Sequence, residues 1–220
     1  MPDGADPSPA SGRCPQRPAP PGLRLLVASR NRKKLAELQR VLDGAGLCGV
    51  TLVSLDDVPP FDEAPETGAT FEDNALAKAR DAFAATGLPS VADDSGLEVA
   101  ALNGMPGVLS ARWSGNHGDD GANTALLLAQ MRDVPDERRG AAFVSACALV
   151  ADGQQVVVRG EWPGTIAHEP RGDGGFGYDP VFLPAEGDGR TAAQFSAAEK
   201  DAVSHRGRAL ALLLPALRTL

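Results

Sequence analysis

Residues 23–44, LRLLVASRNRKKLAELQRVLDG, set the fold class of this chain. The apolar run from Leu23 to Ala28 is too short for a helix and predicts a buried strand. From Asn31 to Gly44, Leu35, Leu38 and Leu42 recur at helical spacing, and Gly44 and Gly46 supply a natural stop. The same alternation continues downstream. Thr51 to Leu55 reads as a second strand. Thr70 to Thr86 reads as a helix opened by a Thr70/Asp73 capping pair, with Phe71, Ala75, Ala79 and Ala82 along one face. Pro89 to Ala92 leads into a strand expected to end at Asp93-Asp94-Ser95-Gly96.

Beyond that point the order changes. Asp119 to Asp133 is predicted helical, but Ala141–Ala151 and Gln155–Trp162 are apolar runs joined by Asp152-Gly153, a strong hairpin signal. A glycine-dense loop covers Gly172 to Asp179. The chain closes with a helix from about Ser204 to Leu217, with Leu210, Leu213, Leu214 and Leu217 facing inward. Strands alternating with helices and then giving way to a hairpin predict an α/β fold whose sheet is mixed rather than purely parallel. No internal repeat interrupts this order. Residues 1–21 are Pro-, Gly-, Ala- and Ser-rich with almost no large apolar side chain, and are expected to be a disordered tail ahead of one domain spanning 22–220.

Composition narrows the function. At 220 residues with 43% apolar and 23% charged side chains, the chain can bury a sizeable core. A formal net charge of −8 argues against a general nucleic-acid binder that works through phosphate contacts. A small polyanion could still be held by a local basic cluster and a metal. The three cysteines, Cys14, Cys48 and Cys147, are odd in number and widely spaced, as expected of reduced thiols in a cytoplasmic protein. No apolar run approaches the length of a membrane span, and the N-terminus has no signal-peptide hydrophobic region.

Four segments carry chemistry. Ser29-Arg30-Asn31-Arg32-Lys33-Lys34 puts four cations at the start of a helix, against its dipole, which is unfavourable unless an anion sits there. A helix N-terminus following a strand is itself an anion site, so a triphosphate would satisfy both; a solvated basic turn would look the same. The second segment is acidic: Glu63, Glu66 and Asp93-Asp94. Mg²⁺ prefers hard carboxylate oxygens shared with substrate phosphates, and a carboxylate beside it can take a proton from the attacking water. Read alone, Asp93-Asp94-Ser95-Gly96 also has the composition of a polar turn. Third, Gly174-Gly175-Phe176-Gly177-Tyr178-Asp179-Pro180 sets aromatic faces between glycines, suited to a base or to simple loop packing. Fourth, Lys200 and Ser204-His205-Arg206-Gly207 place a cap and two donors at the last helix start, where a solvated surface pair is the plain alternative.

Together these segments resemble the inosine/xanthosine triphosphate pyrophosphatases, the non-canonical purine NTP pyrophosphatases. The matching runs are LVASRNRKKLAEL, ETGATFEDNALAKA, VADDSGLEVAALNGMPGVLSARW, GGFGYDPVF and EKDAVSHRGRAL, in the family's order and within Leu25 to Leu217. The resemblance implies two lobes around a long mixed sheet with a central cleft. It also implies a homodimer, and Mg²⁺-dependent hydrolysis of dITP, ITP or XTP to the monophosphate and pyrophosphate. It makes Asp94 the proton acceptor and a metal ligand, with Glu66 the other ligand and Asp93 in support. It gives the triphosphate to Ser29, Arg30, Asn31, Arg32, Lys33 and Lys34. Nucleotide contacts fall to Ser95, Phe176, Gly177, Tyr178, Asp179, Lys200, His205 and Arg206. Asn74 and Lys78, one helical turn apart, are expected to face the same cleft.

One departure bears on the first loop. The family reads Thr-Gly-Asn-x-Gly-Lys there, whereas this chain has Arg30 and Lys33 at the glycine positions. If those glycines need positive φ, the loop takes another path here. Two other functions fit the same residues: a pyrophosphatase for pyrimidine or modified nucleotides, and a nucleotide-binding module without turnover. A panel of triphosphates separates the first, and ITP binding without pyrophosphate release identifies the second.

Overall fold

The computed structural model describes residues 22–47, 49–63 and 65–220. The expected tail at 1–21, and Cys14 and Cys48, lie outside the described residues. Six strands form one mixed sheet in the order β2-β1-β3-β4-β5-β6. They are β1 (Leu23–Val27), β2 (Val50–Ser54), β3 (Ser90–Val99), β4 (Gly140–Ala151), β5 (Gln154–Ile166) and β6 (Phe182–Pro184). β1 pairs parallel with β2 and β3, and every later pairing is antiparallel. The helices are α1 (Arg32–Gly44), α2 (Phe71–Thr86), α3 (Asp120–Gln130), α4 (Ala197–Val203) and α5 (His205–Leu217). No helix among the described residues is long and apolar enough to cross a membrane.

The sequence marks α1 and α2 closely. Asn31 caps α1 by accepting from the Lys33 N–H at 3.0 Å, and Thr70 caps α2 by accepting from Asp73 at 3.1 Å. Phe71, Ala75, Ala79 and Ala82 are all buried. The hairpin turns at Asp152-Gly153 with Gly153 at φ 65°, and β5 runs on four residues past Trp162. The short elements α4 and β6 gave no periodic signal of their own.

β3 requires a correction. It does not end at Asp93-Asp94-Ser95-Gly96 but continues through these residues to Val99, paired with β4 from Ser90↔Val150 to Val99↔Ala141. Polar residues of turn-forming type are carried in extended backbone because β4 supplies a full ladder along one edge of the strand. The other edge is different. β1 pairs with β3 only at Leu26↔Ser90 and Val27↔Val91, with bonds from Leu26 N–H to Pro89 O and from Ala28 N–H to Val91 O, and then leaves.

Two cores lie on either side of this waist. One gathers Val91 with Leu38, Leu42, Leu210 and Leu213 around α1 and α5. The other gathers Leu97 and Val99 with Leu127, Met131, Trp162 and Phe182 around α3. On its α1/α5 face β3 thus leaves one apolar cluster at Val91 and enters the next at Leu97. On the other face Ala92 packs with Phe71, Ala75, Val144 and Ala146 against α2, and Asp93-Asp94-Ser95-Gly96 span the gap between lobes.

The start of α5 must come close to the sheet to reach this gap, and Gly160 in β5 permits it. A Cβ at that position would run into the carbonyl of His205 and the backbone of Ala209. Gly140, in the same sheet, has open space where a Cβ would go. Gly160→Ala should therefore cost about 1–3 kcal/mol by overpacking in urea denaturation, while Gly140→Ala should stay within about 0.5 kcal/mol of wild type. Equal effects of the two would refute the close-approach role.

Candidate active site

Beyond its last pairing with β1, β3 borders a cavity of about 120 Å³. Its walls include Ser95 and Gly96 of β3, Phe176 and Tyr178 of the glycine-rich loop, and Lys200, His205 and Arg206 from α4 and α5. Successive strand residues point to opposite faces. Asp93 and Ser95 therefore look toward α1 and α5, and Asp94 toward α2. The two adjacent aspartates consequently anchor two different networks.

On the α2 face, Asp94 is 8% exposed. Its Oδ2 accepts from Asn74 Nδ2 at 3.0 Å and its Oδ1 from Lys78 Nζ at 3.0 Å. Asn74 is itself buried, and its Oδ1 accepts from the Gly68 N–H at 2.8 Å, which ties the loop carrying Glu66 to Asp94. Lys78 also pairs with Glu66 Oε1, and Arg112 Nη1 lies 3.4 Å from Glu66 Oε2. One ammonium thus serves two carboxylates. Burial, only partly offset by Lys78 and Asn74, raises the Asp94 carboxyl above the ordinary aspartate range. For Glu66 burial also acts upward, but Lys78 and Arg112 outweigh it and hold the group low. The Lys78 ammonium is desolvated, yet its two carboxylates keep it charged.

On the opposite face, Asp93 binds Lys34 Nζ through Oδ1 at 2.9 Å, and through Oδ2 takes Arg206 Nε at 3.2 Å and the Ser95 hydroxyl at 2.9 Å. Burial opposes its ionisation, but Lys34 and Arg206 overcome this and hold the carboxyl far below the usual range. Arg206 is 5% exposed and fully engaged: Nη1 donates to Glu37 Oε2 at 2.7 Å and Nη2 to Ser95 Oγ at 3.3 Å. This network fastens α1, β3 and α5 to one another.

The glycine-rich loop closes the cavity. Phe176 presents its ring to three cations, with Lys33 Nζ at 5.3 Å, Lys200 Nζ at 5.2 Å and the Arg206 guanidinium at 5.9 Å from its centroid. Asp179 is buried, pairs with Lys200, and accepts from the Phe176 N–H at 2.9 Å. The Gly177 N–H donates to Asp120 at 2.7 Å. Tyr178 is buried and spends its hydroxyl on the Ser110 carbonyl at 2.8 Å, so it backs the pocket wall. His205 stacks on Phe143 with ring centroids 4.9 Å apart, and its buried Nδ1 has no hydrogen-bond partner among the described residues.

The first loop divides by direction. Lys34 turns inward to Asp93, and Lys33 reaches the Phe176 loop. Ser29 accepts from the Asn31 N–H at 3.1 Å, while Arg30 pairs with Glu63 at the surface and Arg32 is exposed. Neither Arg30 nor Lys33 has positive φ; Asn103 is the only non-glycine residue among the described residues that does. The loop therefore needs no glycine at those places. Glu37, Arg112 and Asp120 also join the site and were not singled out from sequence. Each is an ordinary charged residue on a helix face or turn, and only the fold reveals its partner.

Burial first, then the nearby Arg206 and Lys200, push the His205 imidazole well below its ordinary value, so the folded ring is neutral. The unfolded ring takes a proton below about pH 6.5. Unfolding then binds a proton, and stability falls as pH drops beneath that value. His205→Phe keeps a ring on Phe143 without the titration. Below about pH 6.5, wild type should lose up to about 1.4 kcal/mol per pH unit more than His205→Phe in urea denaturation. Superimposable pH profiles would show that the folded ring is charged.

The chain was compared with known proteins. A family model described as the Ham1 family matches residues 25–216. A protein of Mycolicibacterium paratuberculosis named dITP/XTP pyrophosphatase is 84% identical over 196 residues, covering 89% of this chain and 96% of that one. Among solved structures, a nucleoside-triphosphatase / dITP/XTP pyrophosphatase of Mycobacterium abscessus superposes with a TM-score of 0.74 at 70% identity, covering 88% of this chain and 99% of the other. A HAM1 protein of Coxiella burnetii gives 0.80 at 41% identity, covering 90% and 100%. With nearly the whole of the folded region matched in order and in sheet topology, the chain belongs to the Ham1 family.

Proposed function

We propose that this chain is an Mg²⁺-dependent pyrophosphatase that hydrolyses dITP, ITP and XTP to the monophosphate and pyrophosphate. The observation that carries the reading is the convergence of Glu66 and Asp94 on one cationic centre, with Asp94 next along β3 to Ser95, which lines a cavity that also holds Lys200 and Arg206 and whose Phe176 wall meets Lys33. Relatives named dITP/XTP pyrophosphatase at up to 84% identity support the same reaction class. Family membership also supports a cytoplasmic homodimer.

The donor set fits a hard divalent cation. Glu66 Oε1 and Asp94 Oδ1 already bind a positive charge at one point, and two carboxylates completed by waters and phosphate oxygens are a usual Mg²⁺ environment. Bound there, the ion would lower the pKa of a coordinated water and neutralise phosphate charge. Asp94, whose carboxyl burial raises above the ordinary aspartate range, takes the proton of the attacking water. Asn74 keeps its carboxylate aimed while this happens. Lys34 and Lys33, at the α1 N-terminus, hold the triphosphate with Ser29 to Asn31, and the extra charges of Arg30 and Arg32 draw it in.

The base stacks against Phe176 in the cavity. Inosine and xanthosine carry an oxygen at the purine 6-position where adenosine carries an amino group. Arg206 and the Phe176 and Gly177 N–H groups are already committed to Glu37, Asp93, Asp179 and Asp120. His205, which lines the cavity with a neutral ring, is then the donor assigned to the 6-oxo group: with its N–H turned to the base it pairs with an oxo oxygen and opposes adenine's amino group.

Asp94→Asn should lower pyrophosphate release from ITP by about 10²–10⁴-fold while the melting temperature stays near that of wild type; full activity would remove the assigned base. Wild type should hydrolyse ITP, XTP and dITP well ahead of dATP, dGTP and pyrimidine triphosphates. A preference for pyrimidine or modified nucleotides in that panel would assign the second substrate class instead.

A further inference from the structure

We propose that Lys78 is an internal stand-in for the divalent cation, displaced when the metal binds and then free to contact the substrate's phosphates. This rests on the reading of Glu66 and Asp94 as metal ligands. Each of these carboxylates is held in two different ways. Asp94 Oδ2 is fixed by Asn74, a buried amide already locked by the Gly68 N–H, and Glu66 Oε2 faces Arg112 at 3.4 Å. The remaining oxygens, Asp94 Oδ1 and Glu66 Oε1, meet only at Lys78 Nζ, with Asp94 at 3.0 Å. Two oxygens are thus anchored by the scaffold and two by a single flexible side chain.

An ammonium and a divalent cation cannot share that point. The double negative charge attracts the ion with the higher charge density, and Lys78, on a four-carbon stem, can swing where Asn74 cannot. Because the anchored oxygens keep their partners, the carboxylates need not reorganise on exchange. The freed ammonium stays within a side-chain length of the site and becomes available to phosphate oxygens. Without metal, the same contact spares the protein two facing carboxylates, one buried and one half-buried, with no cation between them.

The test uses full-length protein without nucleotide, titrated with Mg²⁺ and followed by thermal shift, alongside turnover of ITP at saturating Mg²⁺. Lys78→Met removes the competitor. It should melt below wild type in EDTA, reach half-saturation at a Mg²⁺ concentration lower by about tenfold or more, and turn over more slowly by about 10²-fold. Lys78→Arg keeps the charge and should bind Mg²⁺ no better than wild type, which guards against a Met variant that folds poorly. Tighter metal with slower turnover is a pairing that simple structural damage does not produce. Weaker Mg²⁺ binding in both variants, or unchanged turnover in Lys78→Met, would overturn the proposal while the pyrophosphatase reading stood. If wild type neither binds Mg²⁺ nor releases pyrophosphate, the reading of the site itself fails instead.

Discussion

Everything in this structure answers to one constraint: a strand that carries Asp-Asp-Ser between two apolar cores must find partners for charges it cannot leave in water. β3 is held along one edge by β4 through its whole length, while on the other it loses β1 after Val91 and meets Ser110, Pro106 and Met105 only from Leu97 to Val99. An unpaired buried carboxylate costs far more than a surface one, so the groups around the waist are not optional. Alternation then splits the burden. Asp93 draws Lys34 and Arg206 from α1 and α5, and Asp94 draws Asn74 and Lys78 from α2. The helices that frame the cleft are tied together by the charges the cleft needs.

This arrangement reconciles an acidic chain with an anionic ligand. The net charge of −8 says little about the cleft, where lysines and arginines from α1, α4 and α5 collect around Phe176 and Asp93. Most of those cations are paired internally. Pairing keeps them ordered and charged, so a ligand meets a prepared site, but it also means that binding exchanges existing contacts rather than filling empty ones. Arg206, with acceptors on three sides, belongs to the frame, whereas among the described residues Lys33 has only the weak Gly175 carbonyl contact at 3.5 Å and the aromatic face.

How much of this was legible beforehand follows from the range of each interaction. α1, α2, α5 and the β4–β5 hairpin announced themselves because their signals are local: caps, a 3.6-residue apolar period, an Asp-Gly turn. The mixed sheet followed from their order. The end of β3 was misread because Asp-Asp-Ser-Gly is a turn by composition, and only the ladder from β4, which starts more than 40 residues later, keeps it extended. Glu37, Arg112 and Asp120 stayed invisible for the same reason. Nothing in their neighbourhoods distinguishes them, and their partners lie far along the chain. Asn74 and Lys78 were legible as a pair one turn apart, but that both reach the same aspartate is a fact of packing.

The first loop shows how a chain can carry side chains at positions where a motif usually has glycines. The glycines usual at the positions of Arg30 and Lys33 invite the expectation that side chains there force a new path. Both residues have ordinary negative φ, and the turn is closed instead by Ser29 accepting from Asn31 and Asn31 capping α1. What the substitutions add is direction of charge. Arg30 leans outward onto Glu63, beyond the edge of the cleft, and Lys33 leans inward onto the loop that carries Phe176. Lys33 spans from the helix that would hold the phosphates to the ring that would hold the base, so a flexible cation links the two halves of the site where a glycine could link nothing.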